Sequence, residues 1–342
     1  MNKTVVLTGA AGFIGSHMLT HLLVNTDWHI HCLCSFTHKG IPERITQDKH
    51  YQTHKDRVSV HWHDLNAPLS PLLQEKLKDT DYILNFASDS HVDRSITDPV
   101  PFIQNNINVV LNMLEFARKL SHLQVFIQIS TDEVYGPAPK GMDHKEWSTI
   151  LPSNPYSASK AAQEAIAISY WRTYGIPIII TNTMNNIGER QDSEKFVPML
   201  IKKINAGEKV VIHGSKEHGI GSRFYLHARN HADAILHILK KLHPTLYDRM
   251  QVNTLQIPDR YNVVGDIELN NLELAQMIAQ ILNKELQYSL VEFHHTRPGH
   301  DRRYALDGTK LKDAGWKAPI KFKDSLRKTI AWTLANPEWL KI

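Results

Sequence analysis

The sequence predicts an α/β protein: a doubly wound parallel sheet with a smaller, interleaved C-terminal region. Three observations predict it. Short apolar runs alternate with helix-length segments, among them "TVVLTG" (4–9), "HIHCLC" (29–34), "RVSVHWHD" (57–64), "YILNFA" (82–87) and "QVFIQIS" (124–130). That alternation is the pattern of parallel strands joined by crossover helices on both faces. Three glycines, Gly9, Gly12 and Gly15, mark the junction of the first strand with the first helix. Beyond Gly188 the alternation loosens into helices near 196–206, 229–242 and 270–283, separated by polar loops.

Between these markers each element has its own signal. An amphipathic stretch follows the first strand to about Val24, and a long helical stretch spans roughly 99–119. After Pro155 a helix runs to about Tyr174, and "IPIIITN" (176–182) reads as a further buried strand. At 342 residues the chain has room for one large domain or two smaller ones. A composition of 42% hydrophobic and 22% charged residues is ordinary for a globular protein.

The formal charge of +4 comes from scattered Lys and Arg, which argues against nucleic acid and leaves room for a basic cleft around a phosphorylated ligand. The apolar runs are far short of a membrane span, and "MNKTVVLTGA" reads as a strand rather than a signal peptide. The two cysteines, Cys32 and Cys34, lie two apart on a strand and share a face, which suits packing better than a disulfide. The expectation is a reduced, cytoplasmic protein with no membrane partner. None of the 21 histidines stands in a zinc-like spacing, and no metal is expected.

"TGAAGFIG" sets its glycines in a G-x-x-G-x-x-G spacing directly after a strand and before a helix. Glycine permits close backbone approach to a pyrophosphate, and the helix N-terminus offers free N–H groups and a favourable dipole. Gly9, Gly12, Phe13, Ile14 and Gly15 are therefore candidate cofactor contacts in a Rossmann-type site. At the end of the second strand Cys34 and Ser35 stand where a ribose-binding acid is expected, and His38 and Lys39 follow. That predicts weak discrimination against a 2′-phosphate and leaves NADP open. Asp64, ending the third strand, is either an adenine contact or a turn cap, and Leu65 and Ala87 are placed with it among the cofactor contacts. Residues 1–184 are read as the dinucleotide-binding domain, with return segments near 224–242 and 259–266. Residues 185–342 mainly supply the substrate-binding region.

Two further segments carry chemistry. "NPYSASKAAQE" puts Tyr156 and Lys160 four apart on a helix, so both share one face. An ammonium near a phenol favours the phenolate, which makes Tyr156 a candidate base. "ISTDEVYG" ends an apolar strand in Thr131 and two adjacent carboxylates, Asp132 and Glu133. On a regular strand these would face opposite ways, so they converge only if the strand ends before them, as Gly136 and Pro137 suggest. Two carboxyls in one closed site do not both ionise cheaply, so one stays protonated.

Taken in order, "TGAAGFIGSH", "NFASDSHVDRSI", "STDEVYG", "NPYSASKAAQE", "TNTMNNIG", "EKFVPMLI" and "RPGHDRRYALD" resemble the nucleotide-sugar branch of the extended short-chain dehydrogenase/reductases. The resemblance is to the dTDP-glucose 4,6-dehydratase family and covers about 3–335, and NAD is the cofactor it implies. It implies that Tyr156, with Thr131 and Lys160, removes the proton of the sugar 4-hydroxyl as hydride leaves C4. It also implies that Glu133 abstracts the C5 hydrogen, Asp132 protonates the departing 6-hydroxyl, and hydride returns to C6. Ser90, His91, Asn106, Asn185, Lys195, Arg223 and Arg297 are implied substrate contacts, and a homodimer built on the helices near 99–119 and 156–174 is implied as well. For that interface Ile107, Val110, Leu111 and Leu114 look like more apolar surface than one buried face needs. The segment "MNNIGERQDSEKF" lacks the family's Tyr-Gly-Pro, the loop "GSKEHGIGSRF" is long, and Phe224 replaces an acid, all around the nucleotide pocket. An epimerase or 5,6-dehydratase on the same scaffold, or a non-catalytic sugar-nucleotide-binding protein, remains as an alternative.

Overall fold

The computed structural model describes residues 3–37, 39–215, 219–251, 253–292 and 301–341. Its first half alternates β1 (Thr4–Thr8), α1 (Phe13–Asn25), β2 (His29–Cys34), α2 (Glu43–Thr46), α3 (Lys49–Thr53), β3 (Val58–Trp62), α4 (Pro71–Lys76) and β4 (Tyr82–Asn85). Then come α5 (Val92–Thr97), α6 (Pro99–Ala117), β5 (Val125–Thr131), α7 (Pro155–Tyr174) and β6 (Ile178–Thr183). The second half holds β7 (Asn185–Ile187), α8 (Phe196–Asn205), β8 (Val210–Ser215), β9 (Gly219–Ile220), β10 (Ser222–His227), α9 (Ala228–Lys241) and β11 (Asp259–Val263). It closes with β12 (Glu268–Asn270), α10 (Asn271–Leu282), β13 (Tyr288–Val291), β14 (Arg303–Tyr304), α11 (Thr309–Asp313) and α12 (Phe322–Ala335).

Seven strands form the main sheet in the order β11-β6-β5-β4-β1-β2-β3, and every pairing in it is parallel. The order reverses between β1 and β4, and in such sheets the ligand crevice lies beyond the carboxyl ends of the strands flanking that reversal. Alternate residues of each strand feed opposite faces. Val5 and Leu7 pack with Leu22 of α1 and Ile235 of α9, whereas Val6 packs with Val110 and Leu114 of α6 and Trp171 of α7. Every residue of β5 is buried, because helices cover it on both sides. Val110 and Leu114 are thus core residues and not surplus surface, and of the four α6 positions only Leu111 is exposed while Ile107 is half-buried. A separate apolar cluster holds the smaller region, with Ile201 and Ile204 of α8 against Ile278 of α10 and Leu326 of α12.

The edge strand β11 comes from the second half of the chain, and a buried ion pair helps to lock it in place. Arg260 donates to Glu164 of α7 at 2.7 Å, and both side chains are fully buried. Asn182 of β6 donates to the second Glu164 oxygen at 2.8 Å, and the guanidinium also reaches the Tyr135 hydroxyl and lies over Trp147. Removing one member of such a pair leaves an uncompensated buried charge. Glu164→Gln is therefore expected to lower stability by about 3–5 kcal/mol, with Glu164→Leu combined with Arg260→Met restoring most of the loss. Equilibrium urea unfolding measures both. A single variant as stable as the parent would mean the pair carries no net stabilisation.

Candidate active site

Two contiguous cavities open at the carboxyl ends of β1 and β4. The first, about 270 Å³, is lined by Gly9, Gly12, Phe13, Ile14, Asp64, Leu65 and Ala87. Gly12 is the N-cap of α1 and has no side chain to occupy the first-turn N–H groups, so they stay available to an anion. Gly15 lies behind the loop and not on the cavity: a Cβ there would sit 2.2 Å from the Gly9 carbonyl oxygen. Its role is close packing of α1, which corrects the expectation of a direct cofactor contact. Asp64 caps a turn by accepting from the Asn66 backbone N–H at 3.0 Å and also lines the cavity, so the two readings of it coexist.

Cys32 and Cys34 are buried free thiols, and burial raises both. Lys39 is paired with Asp192 at 2.8 Å and lies 3.5 Å from Glu194. The buried Arg44 gives its guanidinium to the carbonyls of Ala11, Lys39 and Arg190. Arg190 in turn donates to the Arg44 carbonyl and pairs with Asp48 at 3.2 Å. These three cations are already committed to partners within the chain. His38 lies outside the described residues.

The second cavity, about 600 Å³, is lined by Thr131, Asp132, Glu133, Tyr156 and Lys160 together with Ser90, His91, Asn185, Lys195 and Arg223. β5 ends at Thr131, and residues Asp132–Tyr135 turn as one 3-10 turn, with the Thr131 hydroxyl accepting from the Glu133 N–H at 3.3 Å. Gly136 closes this turn at φ +73°, where a Cβ would strike the Leu151 carbonyl oxygen at 2.3 Å. The turn brings both carboxylates to one cleft, as the end of the strand requires.

Their surroundings differ. Glu133 Oε2 accepts from the Asn154 side chain at 3.2 Å and from the Tyr304 hydroxyl at 3.4 Å. Asp132 Oδ1 accepts only from the Thr131 hydroxyl at 3.0 Å, and its buried Oδ2 has no hydrogen-bond partner among the described residues. Burial raises both carboxyls, Asp132 up to about 7 with Glu133 beside it adding to the rise. The Asn154 and Tyr304 hydrogen bonds and the charge of Arg223 favour the Glu133 carboxylate. The unequal hydrogen bonding leaves a proton more readily on Asp132 than on Glu133.

α7 is capped by Asn154, whose side-chain oxygen Oδ1 accepts from the Ser157 N–H at 2.9 Å while its side-chain nitrogen donates to Glu133. This one residue caps the helix that carries Tyr156 and Lys160, and it orients Glu133 opposite them. Burial and the two nearby acids hold the Tyr156 phenol neutral, while a hydrogen bond with Thr131 opposes them. Lys160 is buried and donates to the Ile129 carbonyl at 2.7 Å and to Gln163 at 2.5 Å, and burial lowers its ammonium to about 7.

Among the expected substrate contacts, Arg223 lines the cleft, but three of its hydrogen bonds go to the carbonyls of Ser222, Asp301 and Arg302, and its guanidinium lies over Tyr304. His91 caps α5 and faces Glu194 at 3.3 Å. Asn106 is fully buried away from the cleft: its amide binds the Asp89 backbone and Ser159, so it braces the wall instead of touching a ligand. Arg297 lies outside the described residues. Asn154 and Tyr304 escaped sequence reasoning although both sit inside quoted segments, because nothing local shows that either one reaches Glu133.

His17, Glu189 and His227 approach one another, with His227 Nε2 3.1 Å from the carboxylate. His227 Nδ1, however, accepts the Arg229 N–H at 3.0 Å, so Nε2 carries the proton and faces Glu189 as a donor. That tautomer suits a buried His–Glu contact and not a metal centre.

Fold and cleft together define a dinucleotide-binding enzyme with a tyrosine–lysine pair and a separate pair of adjacent carboxyls in the second cavity. Comparison with known proteins makes this specific. The family described as GDP-mannose 4,6 dehydratase matches residues 6–329, and the chain belongs to it. It is 34% identical to a dTDP-glucose 4,6-dehydratase of Escherichia coli, over 98% of this chain and 94% of that one. It is 33% identical to the low-salt glycan biosynthesis protein Agl12 of Haloferax volcanii, over 98% and 99%. The solved structure of DesIV, a dTDP-glucose 4,6-dehydratase from Streptomyces venezuelae with NAD bound, superposes at a TM-score of 0.85 with 29% identity, covering 98% of each chain.

The raised Asp132 has a thermodynamic signature. An acid whose folded value lies above its unfolded one binds more protons when folded, so its contribution to stability falls as pH rises between the two values, about 4 and about 7. Above about pH 7 the full penalty is present. Asp132→Asn should therefore stabilise the fold by a few kcal/mol at pH ~8 and by distinctly less at pH ~5. Denaturant unfolding at the two pH values reads the difference. An equal effect at both would place the Asp132 carboxyl in its ordinary range.

Proposed function

We propose that the protein is a nucleotide-sugar 4,6-dehydratase that converts a nucleoside-diphosphate hexose to its 4-keto-6-deoxy form. The observation that carries this reading is the unequal pair of buried carboxyls. One is hydrogen-bonded twice on one oxygen and the other carries an unpartnered oxygen, across a single cleft from Tyr156 and Lys160. Elimination across C5–C6 needs a base and an acid on neighbouring atoms, and oxidation at C4 needs a third proton acceptor.

The residues divide that work. Tyr156 takes the 4-hydroxyl proton, with the Lys160 ammonium stabilising its phenolate and the Thr131 hydroxyl directed at the same oxygen. Glu133 removes the C5 hydrogen, made acidic by the new ketone. Asp132, raised to about 7 and so still carrying a proton in a large fraction of molecules near neutral pH, gives that proton to the departing 6-hydroxyl. Bound along Gly9, Gly12, Phe13, Ile14 and Ala87, a nicotinamide dinucleotide would supply the hydride acceptor and donor. The cofactor is NAD: relatives such as DesIV bind it, and Lys39 and Arg44 are committed to Asp192 and to carbonyls instead of awaiting a 2′-phosphate. Lys195, at the N-cap of α8, with Asn185 and Arg223, belongs to the sugar-nucleotide end. Residues 1–184, with α9 and β11 returning to them, act as the cofactor domain, and the remainder covers the substrate. No helix among the described residues is long and apolar enough to cross a membrane, and the free thiols fit a reducing cytoplasm.

The test is incubation with a panel of nucleotide sugars and mass analysis of the products. Loss of one water supports dehydration, and unchanged mass with an altered sugar makes the protein an epimerase. Variants then separate the steps. Tyr156→Phe should give neither reduced nicotinamide nor product. Asp132→Asn should still oxidise C4 and accumulate reduced nicotinamide, with elimination slowed about 10²–10⁴-fold. An Asp132→Asn protein that turns over like the parent removes the ground for the dehydratase reading.

A homodimer through α6 and α7 is part of the proposal. Leu111 stays 37% exposed on α6, and Tyr170 and Tyr174 line the outer face of α7, where Tyr170 donates to Glu115 and Arg118 lies over Tyr174. Sedimentation at micromolar protein should give a dimer that Leu111→Asp weakens. A monomeric parent rejects the interface.

A further inference from the structure

The inner face of α7 carries a polar residue that the reaction does not touch. Gln163 is fully buried, one helical turn beyond Lys160. Its Oε1 accepts from Lys160 Nζ at 2.5 Å and from Gln128 Nε2 at 3.2 Å, while its own Nε2 donates to the Asn106 carbonyl at 2.6 Å. Behind it the network continues across the sheet. Gln128 accepts from Asn85 at 2.9 Å, Asn85 accepts from the Thr8 hydroxyl at 2.9 Å, and Thr8 accepts from the Ala87 N–H at 2.9 Å. Each amide is fixed in direction, since turning any one of them sets donor against donor or acceptor against acceptor in a fully buried place. The Gln163 oxygen is therefore held towards the ammonium by groups that run back to the strand carrying the phosphate loop.

We infer that Gln163 is a positioning residue for the proton-abstracting step: it holds the Lys160 ammonium with an uncharged acceptor, so that the full positive charge remains available to the Tyr156 phenolate. The inference rests on Tyr156 being the base of the proposed dehydration. The physical argument is one of charge. A buried ammonium needs acceptors, and Lys160 has two, both neutral, in the Ile129 carbonyl and Gln163. A carboxylate in the same position would bind it more tightly but would cancel the charge that lowers the phenol's proton affinity. The charged groups facing the pair fit this arrangement. Asp132 and Glu133 come from the turn after β5, and Glu164 of α7 is already neutralised by Arg260 of β11. The neighbours from α6 and β4, Asn106 and Asn85, are uncharged.

The experiment titrates Tyr156 in the full-length, NAD-loaded protein by tyrosinate ultraviolet absorbance, using Tyr156→Phe as the subtracted reference. Gln163→Glu and the near-isosteric Gln163→Met are compared with the parent. Gln163→Glu should move the Tyr156 midpoint up by about one pH unit or more, equivalent to a tenfold lower phenolate fraction at fixed pH. Gln163→Met should also move it up, because an ammonium with one acceptor fewer loses its proton more readily. Single-turnover formation of reduced nicotinamide at neutral pH should slow in proportion. Midpoints equal to the parent's in both variants, even with lowered thermal stability, would make Gln163 a structural amide only and overturn the inference. Should Gln163→Glu fail to fold, the Gln163→Met midpoint decides alone. A shifted midpoint in a protein that dehydrates no nucleotide sugar would uphold the electrostatic role while removing the dehydratase reading.

Discussion

Everything in the cleft depends on the removal of water from the carboxyl end of β5. That strand is buried along its whole length, and the turn following it places two carboxyls, a phenol and an ammonium where none is solvated as it would be in bulk. Desolvation disfavours the charged form of each, raising the acids and the phenol and lowering the amine. The individual hydrogen bonds then decide which group recovers its charge. Two donors on Glu133 and one on Asp132 make a pair of similar acids unequal, which is the asymmetry the proposed acid and base roles rest on.

The scaffold reads as support for that arrangement. The parallel sheet delivers Thr131 and Gly9 to the same edge, and α7 presents Tyr156, Lys160, Gln163 and Glu164 along its inward side. Glu164 takes no part in the cleft itself, yet its bond to Asn182 and its pair with Arg260 tie α7 to β6 and β11. Asn182 also donates to the Thr131 carbonyl at 3.0 Å, so the lock on the edge strand and the geometry of Thr131 at the cleft share one side chain.

Much of this was legible in the sequence, and the limit of legibility has a physical form. Strands and helices announced themselves by period, and the phosphate loop by its position on the first strand–helix junction. Thr131, Asp132, Glu133, Tyr156 and Lys160 stood in two short segments, and the end of β5 at Thr131 followed from the glycine and proline beyond it. What stayed hidden were contacts between residues far apart in the chain. Tyr304 reaches Glu133 across 171 positions, and Arg260 reaches Glu164 across 96. Asn106 was misplaced for a related reason: the side of α6 that bears it is turned to Ser159, and only the packing of α6 on α7 reveals it. Gly15 looked like a ligand contact because spacing alone does not separate a glycine needed for approach to a ligand from one needed for approach to its own loop.

The bonds that join the two halves of the chain beside the cofactor cavity also bear on kinetics. Lys39 to Asp192, Arg44 to the Arg190 carbonyl and Arg190 to Asp48 knit the segment after β2 to the segment after β7. In an enzyme that releases a spent cofactor every cycle, such a clasp would throttle turnover. In the proposed dehydration a nicotinamide would regain at C6 the hydride it takes at C4, and the dinucleotide would end each cycle in the oxidation state in which it began. A dinucleotide recycled in this way would serve as a resident prosthetic group, and a chain that never has to release it is free to close around it.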